Sequence, residues 1–290
     1  MLVAVSMLLQ RKDTGYQRLR KAEHRAKNVC RISWRGYGSG VPLLLGMNVD
    51  HVATLRQARY ALLSESPNAE PCPLQACRDA IAGGADSITI HVRGDRRHMQ
   101  ESDAFLIKRS ISVPLNFEMG VTAEMIAIAL RLQPAFVCLV PEKREEVTTE
   151  GGLDVVAGRR EIGDCIRAMQ KSAIKVSLFI DPEASQVLAA AELGAEMVEL
   201  HTGCFGNAGP QDVEREIDRL CAAARVGHDA GLQVNAGHGI NYQNVRLLER
   251  VPFLCEYNIG HSIVARAMRV GMEQAVRDMK QLMSSYPSSQ

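Results

Sequence analysis

Six of the chain's eight histidines (His51, His91, His98, His201, His238 and His261) stand where a short apolar run gives way to polar or glycine residues. Imidazole changes charge near neutral pH, so its natural tasks are proton transfer and ligand binding. A lone histidine is more often structural than catalytic, but six at the ends of such runs are hard to explain that way. Carboxylates accompany them. Glu118 ends the run after the one that His91 ends, and a carboxylate beside an imidazole in a sheltered mouth can pass protons near neutral pH. His238 ends a run far along the chain and is placed to serve the opposite face as a second acid or base.

Two other patterns suit anionic substrates. The segments NAGHG (235–239) and NIGH (258–261) put glycines where a strand enters a helix, and bare N–H groups at helix starts bind phosphate. HVRGDRRH (91–98) adds Arg93, Arg96, Arg97 and His98, and arginine forks match phosphate oxygens. Arg93, two residues past His91, is the better ligand, whereas Arg96 and Arg97 read as solvated loop charges. The first run ends in Asp50-His51 rather than the His-x-His of metallohydrolase barrels, so no catalytic metal is expected.

The elements that must hold these residues repeat one rhythm from residue 43 onward. Candidate strands are 43–49, 87–92, 114–119, 135–140, 175–180, 196–201, 232–236 and 255–260, each followed by a helical pattern such as 123–132, 183–194 or 262–283. GGAD and LGAE place a glycine between helix and next strand, as helix C-termini favour. Eight such units predict an α/β fold, a (β/α)8 TIM barrel whose active site lies at the C-terminal ends of the strands. An open doubly wound sheet is the alternative, but its Gly-rich turn is absent after the first strand.

Residues 1–40 hold nine Lys or Arg against Asp13 and Glu23, a net of +7, while the whole chain carries +1. They read as a basic, disordered extension ahead of a catalytic domain over 41–290. A true start near Val41 and an organelle transit peptide are alternatives. The remaining residues are mildly acidic, about −6, which argues against a nucleic-acid partner. The opening apolar run is too short to span a membrane. None of the eight cysteines has C-x-x-C spacing, so reduced thiols in a cytoplasmic protein are expected.

The blocks NVDHVATLRQAR (48–59), ITIHVRGDRRH (88–98), NFEM (116–119), LVPEKREEVTTEGGLDV (139–155), HTGC (201–204), NAGHG and NIGH are similar to the signature blocks of the pyridoxine 5′-phosphate synthase family, in the same order across residues 43–283. The resemblance implies condensation of 3-amino-2-oxopropyl phosphate with 1-deoxy-D-xylulose 5-phosphate, without metal or organic cofactor. It implies His91 and Glu118 as the main acid–base residues and His238 as a further proton donor. Asn48, Gly239, Gly260 and His261 hold the amino-ketone phosphate on this reading. Asp50, His51, Arg93, His98 and Thr148 hold the deoxyxylulose phosphate. Arg59 closes over the site, from a neighbouring subunit of a homo-octamer, and the loop around VTTEGG acts as a lid. Residues 60–77 are longer than the family's usual link after Arg59, which bears on subunit contacts. A barrel relative with only a binding role is one rival reading. A Schiff-base lyase using Lys143 is another.

Overall fold

The computed structural model describes residues 42–64, 66–142 and 151–284. The basic segment, Lys143 and Thr148 lie outside these residues.

Eight strands form a closed parallel barrel in sequence order: β1 (Leu44–Asn48), β2 (Ser87–His91), β3 (Leu115–Met119), β4 (Phe136–Leu139), β5 (Lys175–Ile180), β6 (Met197–His201), β7 (Gln233–Gly237) and β8 (Leu254–Ile259). Each lies within about a residue of the run that the sequence marked. The helices are α1 (Asp50–Tyr60), α2 (Pro73–Ala82), α3 (Glu101–Ser110), α4 (Ala123–Leu132), α5 (Arg159–Lys171), α6 (Ala184–Glu192), α7 (Gly203–Asn207), α8 (Val213–Asp229), α9 (His261–Val270) and α10 (Met272–Ser284).

Local chemistry explains several boundaries. Proline at the first position starts α2. In α3, the Gln100 side chain and the Asp103 carboxylate cap the first turn reciprocally. Thr122 Oγ1 accepts the Met125 N–H at the start of α4. The glycines ending α2 and preceding β6 do adopt left-handed backbone, Gly84 at φ +101° and Gly194 at φ +84°.

Two connections depart from the expected alternation. The single closing helix over 262–283 is in fact two, α9 and α10, broken at Gly271 with φ +83°. Between β7 and β8 there is only a 3₁₀ turn, Val245–Arg250, instead of a full helix. The stretch after Arg59 forms turns and then α2.

The aliphatic core lies between strands and helices. Ile88, Ile90, Leu115, Phe117, Val176, Leu178, Val198, Leu200, Val234 and Tyr257 are buried there with the inner faces of the helices. The alternate positions are different in kind: Ser87, Thr89, Asn116, Ser177, Glu199, Asn235, Glu256 and Asn258 are buried and polar. Hydrogen bonds between strands that are not neighbours prove that these side chains meet inside the barrel. Asn258 Nδ2 on β8 donates to Glu199 Oε2 on β6 at 2.6 Å, and Thr89 Oγ1 on β2 donates to Asn258 Oδ1 at 3.0 Å. Barrels usually fill this space with branched apolar residues. Here much of the interior is a polar column leading up to the mouth, beside a small apolar cluster of Cys138, Val140 and Phe179.

Gly46 shows how tightly the column is packed. A Cβ there would lie 2.0 Å from Asn258 Oδ1, 2.6 Å from Glu256 Oε1 and 2.9 Å from Ser87 Oγ. Outside the barrel, Arg56 of α1 is buried and forks onto both oxygens of Asp103 at 2.7 and 2.8 Å, tying α1 to α3.

Candidate active site

The strand ends deliver their polar residues to one rim. At β1, Asn48 and Asp50 lock each other: Asn48 Nδ2 donates to Asp50 Oδ2 at 2.8 Å, and the Asp50 N–H donates to Asn48 Oδ1 at 2.9 Å. The other Asp50 oxygen accepts the His91 backbone N–H at 2.8 Å, which ties the start of α1 to the end of β2. Gly260 lies directly against Asn48. A Cβ at Gly260 would stand 3.1 Å from Asn48 Cβ, so glycine lets the start of α9 approach β1. His51 and His261 then meet edge to face, with centroids 4.9 Å apart. Burial lowers the His51 pKa first, the neighbouring His261 adds to this, and Asp50 works against it.

His91 and Glu118 are register partners on β2 and β3, so their side chains emerge side by side. His91 Nε2 lies 2.8 Å from Glu142 Oε1. Glu142, just beyond β4, also accepts the backbone N–H of Gly94 at 3.0 Å and of Gly120 at 3.2 Å. Burial alone would raise the Glu142 carboxyl, but the bonds from His91 and Gly94 hold it below the ordinary carboxylate range. Glu142 is thus an ionised anchor that orients the His91 ring and fixes which nitrogen faces the mouth. His98 is 6.0 Å from His91, centroid to centroid, and its Nδ1 accepts the Met99 N–H at 2.8 Å. Its pKa is lowered, chiefly by burial.

Glu118 and Glu199 belong to one acidic core. The pKa of Glu118 is pushed well above the ordinary value by desolvation first, then by the charges of Glu199 and Asp50, against a hydrogen bond with Asn48. Glu199 is raised by burial and by Glu256 below it, while the Asn258 amide counters. Two carboxyls whose proton affinity is raised by burial and by neighbouring carboxylate charge can hold and return protons, which is the capacity general acid–base work needs.

On the far side of the rim, His238 has left-handed backbone, φ +75°, and Gly239 follows at φ +77°. Thr202 holds this turn. Its Oγ1 bridges the carbonyl oxygens of Gly237, at 2.8 Å, and His238, at 2.5 Å. His238 is exposed at the rim, yet enclosure on its inner side lowers its pKa, with the nearby His201 and His51 adding to the effect. The influence of His51 places His238 across the same mouth as the β1 group.

The structure therefore gathers Asn48, Asp50, His51, His91, His98, Glu118, His238, Gly239, Gly260 and His261 around one opening. Arg93 is buried beside them, near Asp95. Arg59 is not among them. It sits exposed in the last turn of α1, over the Tyr60 ring at 5.9 Å, about 13 Å of helix away from Asp50. Arg96 and Arg97 are engaged elsewhere, Arg96 with Glu101 and Glu124, Arg97 with Asp95. Sequence reasoning missed Glu142 and Glu199, and it marked His201 without its pairing to Asp181. Among the described residues no group of three His, Cys, Asp or Glu is arranged to hold a metal ion, and no helix is long and apolar enough to cross a membrane. The seven described cysteines are free thiols, four of them buried.

Comparisons with known proteins agree on one family. The family model described as pyridoxal phosphate biosynthesis protein PdxJ matches residues 45–285. Among curated relatives, the pyridoxine 5′-phosphate synthase of Akkermansia muciniphila is 59% identical over 240 residues, covering 82% of this chain and 98% of its own. That of a Cyanothece species is 52% identical over 238 residues, covering 82% and 96%. Solved structures share the barrel at low identity. Phosphoribosyl anthranilate isomerase from Thermus thermophilus gives a TM-score of 0.53 at 12% identity, over 84% of this chain and 99% of its own. Orotidine 5′-monophosphate decarboxylase from Methanocaldococcus jannaschii gives 0.56 at 12% identity, over 85% and 100%. Those two likenesses concern the fold alone.

Proposed function

The chain belongs to the pyridoxine 5′-phosphate synthase family, and from that premise we propose that it condenses 3-amino-2-oxopropyl phosphate with 1-deoxy-D-xylulose 5-phosphate to give pyridoxine 5′-phosphate, inorganic phosphate and water. The observation that carries this reading is the meeting of His91 and Glu118 on adjacent strand ends, facing His238 across a rim of glycine-bearing helix starts.

Joining an amine to a ketone, expelling phosphate and closing an aromatic ring require several proton transfers in one enclosure. Glu118, whose proton affinity burial raises, donates a proton and takes it back. His91, oriented by Glu142, exchanges protons with the same substrate from the neighbouring strand. His238 serves the opposite face. Asn48, Gly239, Gly260 and His261 form the cradle for the amino-ketone phosphate, where the start of α9 offers backbone N–H groups. Asp50, His51, Arg93 and His98 receive the second substrate, with Thr148 assigned there by the family resemblance. Every step is assigned to protein side chains, with no metal or cofactor.

Arg59 lies exposed about 13 Å along α1 from Asp50, and its assigned role is to close over the site of a neighbouring copy within a homo-octamer.

The test is product formation from both substrates. Equimolar pyridoxine 5′-phosphate and phosphate are expected, with neither formed when one substrate is omitted. Phosphate release without ring formation would contradict the reading and favour a lyase.

A further inference from the structure

Beside His238 lies a pair to which the acid–base reading assigns no task, a buried histidine and a half-exposed aspartate. His201 ends β6 and is only 6% exposed. Its Nδ1 lies 3.0 Å from Asp181 Oδ1, just past β5. The His201 ring meets the His238 ring at 5.1 Å and 62°, and Phe179 packs on both, at 5.1 Å from His201 and 6.5 Å from His238.

We propose that His201, held by Asp181, is a positioning residue that sets the orientation and proton affinity of His238. The proposal rests on the assignment of His238 as an acid–base group.

Four observations carry it. The hydrogen bond from His201 is the main cause that keeps the Asp181 carboxyl below its ordinary range, and the Gly152 N–H reinforces it at 3.0 Å. An ionised acceptor at Nδ1 fixes the proton there and so fixes the tautomer of His201. Gly203 packs close on the remaining side: a Cβ there would stand 2.3 Å from His201 Nε2 and 3.1 Å from His238 Cδ2. Asp181 is itself anchored, because residues 152–153 lie flush on the end of β5. Leu153 N donates to Phe179 O at 2.7 Å, and a Cβ on Gly152 would stand 2.1 Å from Asp181 N. Lastly, His238 needs external support. Left-handed backbone costs a residue with a Cβ about 1–2 kcal/mol, so its direction must be imposed by neighbours. Thr202 fixes the backbone, and the His201 ring is the surface on which the side chain rests.

The groups that face His238 are His201 from β6, Phe179 from β5, His51 from α1, and Glu199 beneath Gly237. Of these, His201 is the nearest polar ring to touch it directly. Its contribution lowers the proton affinity of His238.

The experiment is a mutant cycle on the full-length protein with His201→Phe, Asp181→Asn and His238→Asn. His201→Phe keeps the ring volume and removes the Nδ1 donor. Asp181→Asn is the milder change and tests the same prediction if the first variant does not fold. Each is expected to lower kcat by about 10-fold to 10²-fold with KM nearly unchanged, the range for losing an orienting partner. Neither should lower it further once His238 is Asn. NMR of ¹³C-labelled histidine, with the His238 signal assigned by its loss in His238→Asn, should show its titration moving up towards 6.5 in His201→Phe. Losses that multiply in the double variants, unchanged kcat in the single variants, or an unmoved His238 titration would each overturn the proposal. Full activity of His238→Asn alone would instead remove the acid–base assignment on which it stands.

Discussion

Replacing Glu256 with glutamine should stabilise the protein in alkaline solution and leave it unchanged in acid. Glu256 lies inside the barrel, 4% exposed, accepting a hydrogen bond from Ser87 Oγ. Desolvation, the largest cause, together with the charge of Asp86, raises its pKa from 4.5 to about 7, against Ser87 and Lys280. A carboxyl whose pKa rises on folding binds its proton more tightly in the folded state. It therefore costs nothing below 4.5, where both states are protonated, and its cost grows until the folded form ionises near pH 7. At 1.36 kcal/mol per pH unit the cost reaches about 3 kcal/mol above pH 7. Glutamine has no such titration. Scanning calorimetry of wild type and Glu256→Gln from pH 4.5 to 8.5 should show the variant's relative Tm rising by roughly 5–10 °C across that range for a barrel of this size. A Tm difference that does not change with pH would refute the account of the polar column, as would a variant that loses ground as pH rises.

Three further outcomes follow from the same geometry. Glu142→Gln removes the charge that orients His91, so kcat should fall by about 10-fold to 10²-fold in steady-state kinetics with little change in either KM. Arg56→Ala leaves Asp103 without its buried fork, and chemical denaturation should show a loss of about 3–5 kcal/mol. Gly46→Ala drives a methyl into Asn258, Glu256 and Ser87, so its melting temperature should fall by an amount equivalent to about 3 kcal/mol, with activity lost as Asn258 moves from Glu199.

The strands and the rim were legible in the sequence because strand ends announce themselves. In SITIH, LNFEM and EMVELH the last inward-facing residue is the histidine or acid that faces the mouth, and a glycine follows within a few residues. The polar column was present in the same letters and went unread. Ser87, Thr89 and His91 alternate with Ile88 and Ile90, as do Asn116 and Glu118 with Leu115 and Phe117. A period of two is the mark of two unlike faces, and only barrel closure turns one of them into a shared interior. That alternation was the signal for Glu199. Glu142 gave no comparable signal, since its role depends on the glycine N–H groups of two other loops, Gly94 and Gly120. Arg59 is a different case: the resemblance assigns it to the site of a neighbouring subunit, and in its own chain helical rise carries it about 13 Å along α1 from Asp50. The break at Gly271 was likewise hidden inside a continuous amphipathic pattern, because a left-handed glycine interrupts a helix without altering its apolar stripe.

The central claim is that the protein's own acids and bases, gathered at the barrel mouth, build the ring. The most direct measurement is turnover of both substrates in excess chelator, with wild type, Glu118→Gln and His91→Asn side by side. The account predicts equal yields of pyridoxine 5′-phosphate and phosphate from wild type, unaffected by chelator, and at least about a 10²-fold loss in each variant, as removal of a general acid–base group implies. Full activity in folded Glu118→Gln, or wild-type activity abolished by chelator and restored by a metal ion, would contradict it.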